Sequence, residues 1–338
     1  MKKYVLKFMA AVMTLVLCFG CIPAVSAAST KKTQLNQKNV TLIVGQTTSL
    51  RVLYNNTGKE PKFKSGNKKT ATVDKGGLIT AKKKGTVTIT VSVGKKSYKC
   101  RVKVIKKYSP KTVNKKVKIS KKVENHIMEI TIKNSLAVAL DIHLAGYTID
   151  ASGKTTQSQY NGIIVPANAT VRRYYDLQND VNFKIEKKIY QYLGCSNSKD
   201  VEAYNNSSSF VMSYPTYNVI AFKDKKAFTV NSIEEKEDFF GTSLVVSYTE
   251  DYSRIVYDSA PSYSECPYTI VFYKNGKMVY FKDIPPALTT TDGKNTSEKN
   301  LADYGTSFTK ADYDNYKVVV NPLVYLSTDA NNRAEYTK

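Results

Sequence analysis

Nearly every structured-looking stretch of this chain alternates apolar and polar residues with a period of two. In residues 87–93, Val87, Ile89, Val91 and Val93 alternate with Thr88, Thr90 and Ser92. In residues 98–104, Tyr98, Cys100, Val102 and Val104 alternate with Lys99, Arg101 and Lys103. A strand sends successive side chains to opposite faces, so these runs fit strands with one buried and one wet face. They do not fit helices, whose faces repeat every ~3.6 residues. The pattern returns at Met128, Ile130 and Ile132, at Val138, Leu140, Ile142 and Leu144, at Leu244, Val246 and Tyr248, and over 316–320. Gly76-Gly77, Gly85, Asn134-Ser135, and the segments 150–153 and 166–169 punctuate the runs as turns. Asn275-Gly276 between two apolar runs predicts a type I′ hairpin, because both central residues must take positive φ. No amphipathic helix longer than about two turns stands out. Residues 232–238 and 297–303 each leave room for one helical turn. Short strands between turn signals predict an all-β chain of tandem β-sandwiches.

A chain of 338 residues, 42% of them hydrophobic, has length for two or three such domains and enough apolar side chains to fill their cores. The expected division is a leader over 1–27, a first domain over 31–106, a basic linker over 107–122, sandwiches over 123–222 and 226–326, and a polar tail over 327–338. The leader has the three parts of a secretory signal peptide. Lys2, Lys3 and Lys7 give a positive start, residues 8–22 are uncharged and apolar, and Ala24-Val25-Ser26-Ala27 supplies the small residues a signal peptidase reads. Cleavage is expected after Ala27. The apolar run falls short of the ~20 residues of a membrane span. Gly20-Cys21 lies where a lipoprotein would be acylated, but Cys18 and Phe19 before it suit that signal poorly. The C-terminal residues 331–338 carry no sorting motif, apolar tail or lipidation signal, so retention at a surface is expected to be non-covalent.

Charge is distributed unevenly along the chain. Residues 28–122 hold 26 Lys or Arg against Glu60 and Asp74 alone, a balance of +24. Residues 123–338 hold 22 against 26, a balance of −4. One very basic unit joined to a near-neutral remainder points to a polyanionic partner for that unit. Lysine outnumbers arginine 45 to 6. Lysine is a hydrated point charge without arginine's bidentate fork, which favours diffuse attraction over base-specific recognition of nucleic acid. The candidate contact residues are Lys82, Lys83, Lys84, Lys95, Lys96, Lys99, Arg101 and Lys103. Solvent-facing lysines also keep strand edges from pairing with other chains, so the charge has a purely structural reading too.

Residues 31–106 resemble the bacterial immunoglobulin-like group 2 (Big2) family of surface proteins and adhesins. The residues that carry the resemblance are 39–45 followed by the strand Thr48 to Val52, Phe63 to Asn67, Ala71 to Asp74, Gly76 to Ala81, Gly85 to Val91 and Cys100 to Val104. Turn glycines and core hydrophobes fall together most specifically from Ala71 to Val91. Phe63 stands where that family usually has tryptophan. Residues 123–193 and 239–325 more weakly resemble small extracellular β-sandwiches of the FxLYD type. This resemblance rests on Ile130 to Ser135 with Gly153-Lys154, and on Phe272 to Lys277 with Tyr313 to Val318. The two stretches read as an internal repeat. The resemblances imply immunoglobulin-like sandwiches, an extracellular setting and no catalytic residues to carry over.

The residues offer little chemistry of their own. His126 and His143 are the only histidines, and neither has a Cys, Asp or Glu at familiar metal-ligand spacing, so both are expected to be exposed. Nucleophile elbows, phosphate-binding glycine loops and HExxH motifs are missing. No cofactor and no metal are expected. Residues 234–238 read as a solvated acidic loop. Cys100 falls on the core phase of its strand and is expected to be an inert buried thiol, while Cys195 and Cys266 leave a single disulfide open. The chain has 25 tyrosines and no tryptophan, which suits half-buried strands better than a carbohydrate platform. The leading expectation is a non-catalytic, secreted or cell-wall-associated binding protein. Its basic domain would contact teichoic acid, a host glycosaminoglycan or another extracellular polyanion, or the chain would meet another surface protein. The alternatives are spacer domains of a surface assembly and a carbohydrate-binding or carbohydrate-processing protein.

Overall fold

The computed structural model describes residues 32–192, 216–220, 225–238, 241–251, 267–285, 294–301 and 308–327. The expected leader, Cys195, Cys266 and the tail from 328 onward lie outside them. The first sandwich contains β1 (Gln34–Leu35), β2 (Asn39–Ile43), β3 (Thr47–Ser49), β4 (Val52–Leu53), β5 (Lys62–Ser65), β6 (Ala71–Val73), β7 (Leu78–Ala81), β8 (Gly85–Val93) and β9 (Lys96–Ile105). One sheet runs β2-β9-β8-β5, with β2 parallel to β9, and faces a sheet β3-β7-β6. The inward phase of β8 and β9 (Val87, Ile89, Val91, Val93, Cys100, Val102 and Val104) packs on Ala71, Ile79 and Ala81 from the other sheet. Burying such a Val or Ile contributes roughly 1.5–3 kcal/mol, which is why the alternation dictates the sheet's orientation. Phe63 packs on this core from β5. Gly77 makes room for it: at φ +81°, a Cβ there would lie 2.2 Å from the Leu50 carbonyl oxygen and 3.0 Å from the Phe63 ring.

The segment expected as a basic linker over 107–122 is ordered by ordinary helix chemistry. The Ser109 hydroxyl accepts the Thr112 amide at 3.3 Å, and Pro110 presets the first helical turn of α1 (Pro110–Lys116). Val113 and Val117 are buried. The expected boundary at residue 123 therefore falls inside β10 (Val117–Glu124). With β11 (Ile127–Asn134), β12 (Leu140–Asp150), β13 (Thr155–Val165), β14 (Ala169–Asp176) and β15 (Asp180–Tyr192), this strand builds the second sandwich. Its sheets run β10-β11-β14 and β13-β12-β15. Ile43, from the end of β2, is wholly buried in the core of this second sandwich, so the first two sandwiches share apolar contact.

After β16 (Thr216–Ile220) comes the third sandwich, with β17 (Phe228–Asp238), β18 (Gly241–Asp251), β19 (Tyr268–Lys274), β20 (Lys277–Ile284), β21 (Lys294–Asn300) and β22 (Asn315–Val320), and β23 (Leu323–Ser327) follows it. Its main sheets run β17-β18-β21 and β20-β19-β22, while β16 pairs with β23. Replacing β10–β15 by β17–β22 strand for strand gives the same order, so the second and third sandwiches repeat one topology. Asn275 and Gly276 take φ of 51° and 74°, the pair of positive values that a type I′ turn needs. Two expectations are corrected here. Residues 232–238 and 297–300 are strand, not helical turns, and the acidic run 234–238 is part of β17, not a loop. Ile233 is buried in the core and β17 pairs with β18 along its length, which outweighs the weak helix preference of Glu and Lys.

The last two sandwiches lie side by side. The outer face of β10-β11-β14 meets the outer face of β20-β19-β22 through buried Ile127, Tyr174, Val271 and Met278. Asn321 acts as an extra strand residue: its Oδ1 accepts the Arg172 amide and its Nδ2 donates to the Arg172 carbonyl, both at 2.8 Å. Glu124 Oε2 accepts the Met278 amide at 3.2 Å, and Asn125 Nδ2 donates to the Met278 carbonyl at 2.8 Å.

Candidate functional site

The outer face of β2-β9-β8-β5 is the strongest candidate. Its strand phases are fixed by the core below, which turns the complementary residues to the outer face. On β9 these are Lys99, Arg101 and Lys103, all exposed. On β8 they are Thr86, Thr88, Thr90 and Ser92, and on the edge strand β5 they are Lys62 and Lys64. The register sets Thr86 opposite Lys103, Thr88 opposite Arg101, and Thr90 between Lys99 on one side and Lys64 on the other. Two cation columns thus flank one hydroxyl column. Neighbours along a column are about 7 Å apart, and the columns stand about 10 Å apart across β8.

Among the described residues none of these five cations makes an ion pair. Asp74 is used elsewhere, its Oδ1 accepting the Leu78 amide at 2.8 Å in the turn between β6 and β7. Glu60 lies in the loop ahead of β5. Of the eight expected contact residues, only Lys99, Arg101 and Lys103 share this face. Lys95 and Lys96 sit at the β8–β9 hairpin. Lys82, Lys83 and Lys84 sit at the opposite end of the sheet, where β8 begins. Lys62 and Lys64 were not among the expected residues. Their signal is the same period of two, Lys-Phe-Lys around the inward Phe63.

Two further sites bear on chemistry. Cys100 is fully buried, and desolvation pushes its thiol up to about 12. It is therefore expected to resist iodoacetamide at pH 8 in the native protein, and peptide mapping should find it alkylated only after denaturation. His143 corrects its expectation. It does sit on the outward phase of β12, yet its side chain is only 14% exposed and Asp141 beside it 6%. Its Nε2 lies 3.3 Å from Asp141 Oδ2, and Nδ1 lies 3.0 Å from Asn161 Oδ1. Burial works against the imidazolium, but the Asp141 carboxylate and Asn161 outweigh it and raise the pKa above its ordinary value. Residues i and i+2 of a strand share a face, so Asp141-x-His143 was the available signal. His126 is exposed and keeps Nδ1 3.2 Å from the Asp180 carbonyl. It borders a cleft of about 690 Å³ beside the junction of the last two sandwiches, with Asp176, Phe281 and Asp283.

Among the described residues no group of three His, Cys, Asp or Glu could hold a metal ion. None of their helices is long and apolar enough to cross a membrane. Residues 29–104 match the family model described as bacterial Ig-like domain (group 2). Over that segment the chain matches a Big2 domain, and the sandwiches that follow extend the same all-β architecture. No curated protein matches the chain. Among solved structures it is similar to domains 5–6 of the S-layer protein SbsC at 16% identity, over 46% of this chain and 95% of that one, with a TM-score of 0.22. It is also similar to domains 4–9 of the surface layer protein SbsC at 9% identity, over 89% of this chain and 65% of that one, again with a TM-score of 0.22. A TM-score of that size marks no shared overall arrangement.

Proposed function

We propose that this chain is an exported, non-catalytic bacterial binding protein that holds to an anionic extracellular polymer through the outer face of its Big2 domain. The observation that carries this reading is the set of five exposed cations on one sheet face with no acidic partner among the described residues. Unneutralised like charges so close together repel one another, and a polyanion relieves that repulsion while releasing its own counterions. The leader pattern of residues 1–27, with cleavage after Ala27, supports export. Teichoic acid and glycosaminoglycan are both polymers of the required sign. The side-by-side packing of the last two sandwiches supports a stiff body following the Big2 segment.

The chain should be retained on a teichoic-acid or heparin column at salt well above physiological strength. Elution of the folded protein from both columns below about 0.15 M salt, where surface charges are already screened beyond ~8 Å, would sink the proposal.

A further inference from the structure

The spacing of the cations says which polyanion the face is built for. Resting on the polyanion reading above, we propose that the ligand is a polyol-phosphate polymer of the teichoic-acid kind, lying extended along the hydroxyl column of β8 with its phosphates between the two cation columns. Side chains that share a face of a strand are separated by two residues, which is six backbone bonds and about 7 Å. A phosphodiester chain with a three-carbon polyol also places six bonds between successive phosphorus atoms (P–O–C–C–C–O–P). At peptide-like bond lengths, where three bonds span ~3.8 Å, that repeat again extends to about 7 Å. Successive phosphates can therefore stay in step with Lys99, Arg101 and Lys103 along β9. On the other side they meet Lys64 and Lys62, set by the register opposite Thr90 and Ser92.

The column between the cations fits the same ligand. Thr86, Thr88 and Thr90 present hydroxyls, which also donate to phosphate oxygens. Their hydroxyls make no hydrogen bond to another described residue. The trough is flat and lacks aromatic rings, because Phe63 belongs to the inner face and Tyr98 packs against the core. Single-stranded nucleic acid shares the six-bond phosphate repeat, but proteins that hold it rely on aromatic rings to stack the bases. A sulfated glycosaminoglycan carries its charges on rigid rings, at intervals set by ring geometry and not by a six-bond chain. Lysine suits a mobile phosphate chain as well, since it asks for no fixed bidentate geometry.

The test is a titration of the full chain with three probes of equal charge number at 0.15 M salt: a glycerol-phosphate oligomer, a heparin oligosaccharide and oligothymidylate. The glycerol-phosphate oligomer is expected to bind at least tenfold tighter than either of the others. The five cations meet four phosphates, at the levels of Thr86, Thr88, Thr90 and Ser92, so log affinity should fall against log salt with a slope near −2.8, taking ~0.7 per phosphate on a single strand. Replacing Lys62 and Lys64 by Thr leaves the phosphate at Ser92 without a cation and should lower that slope by about 0.7, with unfolding unchanged. Equal or tighter binding of heparin or oligothymidylate overturns the polyol-phosphate assignment while leaving the polyanion reading standing. Binding of none of the three overturns both. A slope unmoved by the Lys62→Thr, Lys64→Thr pair overturns the two-column geometry.

Discussion

Reversing three charges on β9, Lys99→Glu with Arg101→Glu and Lys103→Glu, is expected to weaken polyanion binding by about 100-fold at physiological salt. Exposed ion pairs contribute ~0.2–1 kcal/mol each, and here three attractions become three repulsions of similar size. The sum is roughly 1–6 kcal/mol, centred near the ~2.7 kcal/mol of a hundredfold change. Stability should stay within about 0.5 kcal/mol of the parent, because all three side chains are exposed and none makes an ion pair among the described residues. The control is the triple reversal of Lys82, Lys83 and Lys84. It changes the net charge equally but lies at the end of the sheet where β8 begins. Binding there should move by no more than about threefold. Equal losses from the two triples, measured by calorimetric titration, would show that net charge and not the face attracts the polymer.

What the chain displays in its sequence is mostly what depends on neighbours two residues away. The phases of β8 and β9 were legible because a buried face repeats every second residue, and the Asn275-Gly276 turn because its backbone geometry admits few residue types. The same rule applies to Lys62 and Lys64, but β5 is only four residues long and offers a single inward aromatic, too short an alternation to mark its phase. Helix α1 was also within reach. Its Ser109-Pro110 start is a strong local signal, but the lysines around it read more loudly as linker. Other features have no local signature. The parallel pairing of β2 with β9 joins Asn39 to Arg101, and the Asn321–Arg172 exchange joins residues 149 apart. His143 shows the limit most clearly. Alternation gave its face correctly, but whether a face is wet depends on what covers it, and that is decided by tertiary packing.

Substituting Gly146 with Ala should cost the second sandwich more than about 3 kcal/mol, a large part of the 5–15 kcal/mol typical of a domain. Gly146 lies in the interior of β12, where glycine ordinarily weakens a strand, so its presence marks a close approach of another backbone. The register with β15 shifts at this point: Ala145 pairs with Lys187 and Gly146 with Ile185, leaving one residue bulged. A Cβ at 146 would lie 1.9 Å from the Lys184 carbonyl oxygen, 2.9 Å from its carbonyl carbon and 3.2 Å from the Glu186 amide nitrogen. A flexible side chain could swing clear of such a contact. A backbone carbonyl in a thirteen-residue strand cannot, without breaking ladder bonds on both sides of the bulge. The comparison is Gly153→Ala in the turn after β12. There φ is +87° and nothing stands within 4 Å of a new Cβ, so only the left-handed backbone penalises the methyl group, by about 1–2 kcal/mol. Urea unfolding followed by tyrosine fluorescence should show the Gly146 variant with a separate, earlier transition and the Gly153 variant with a small shift. Similar small shifts in both would mean that the bulge can open and that the register of β12 on β15 is not fixed by this glycine.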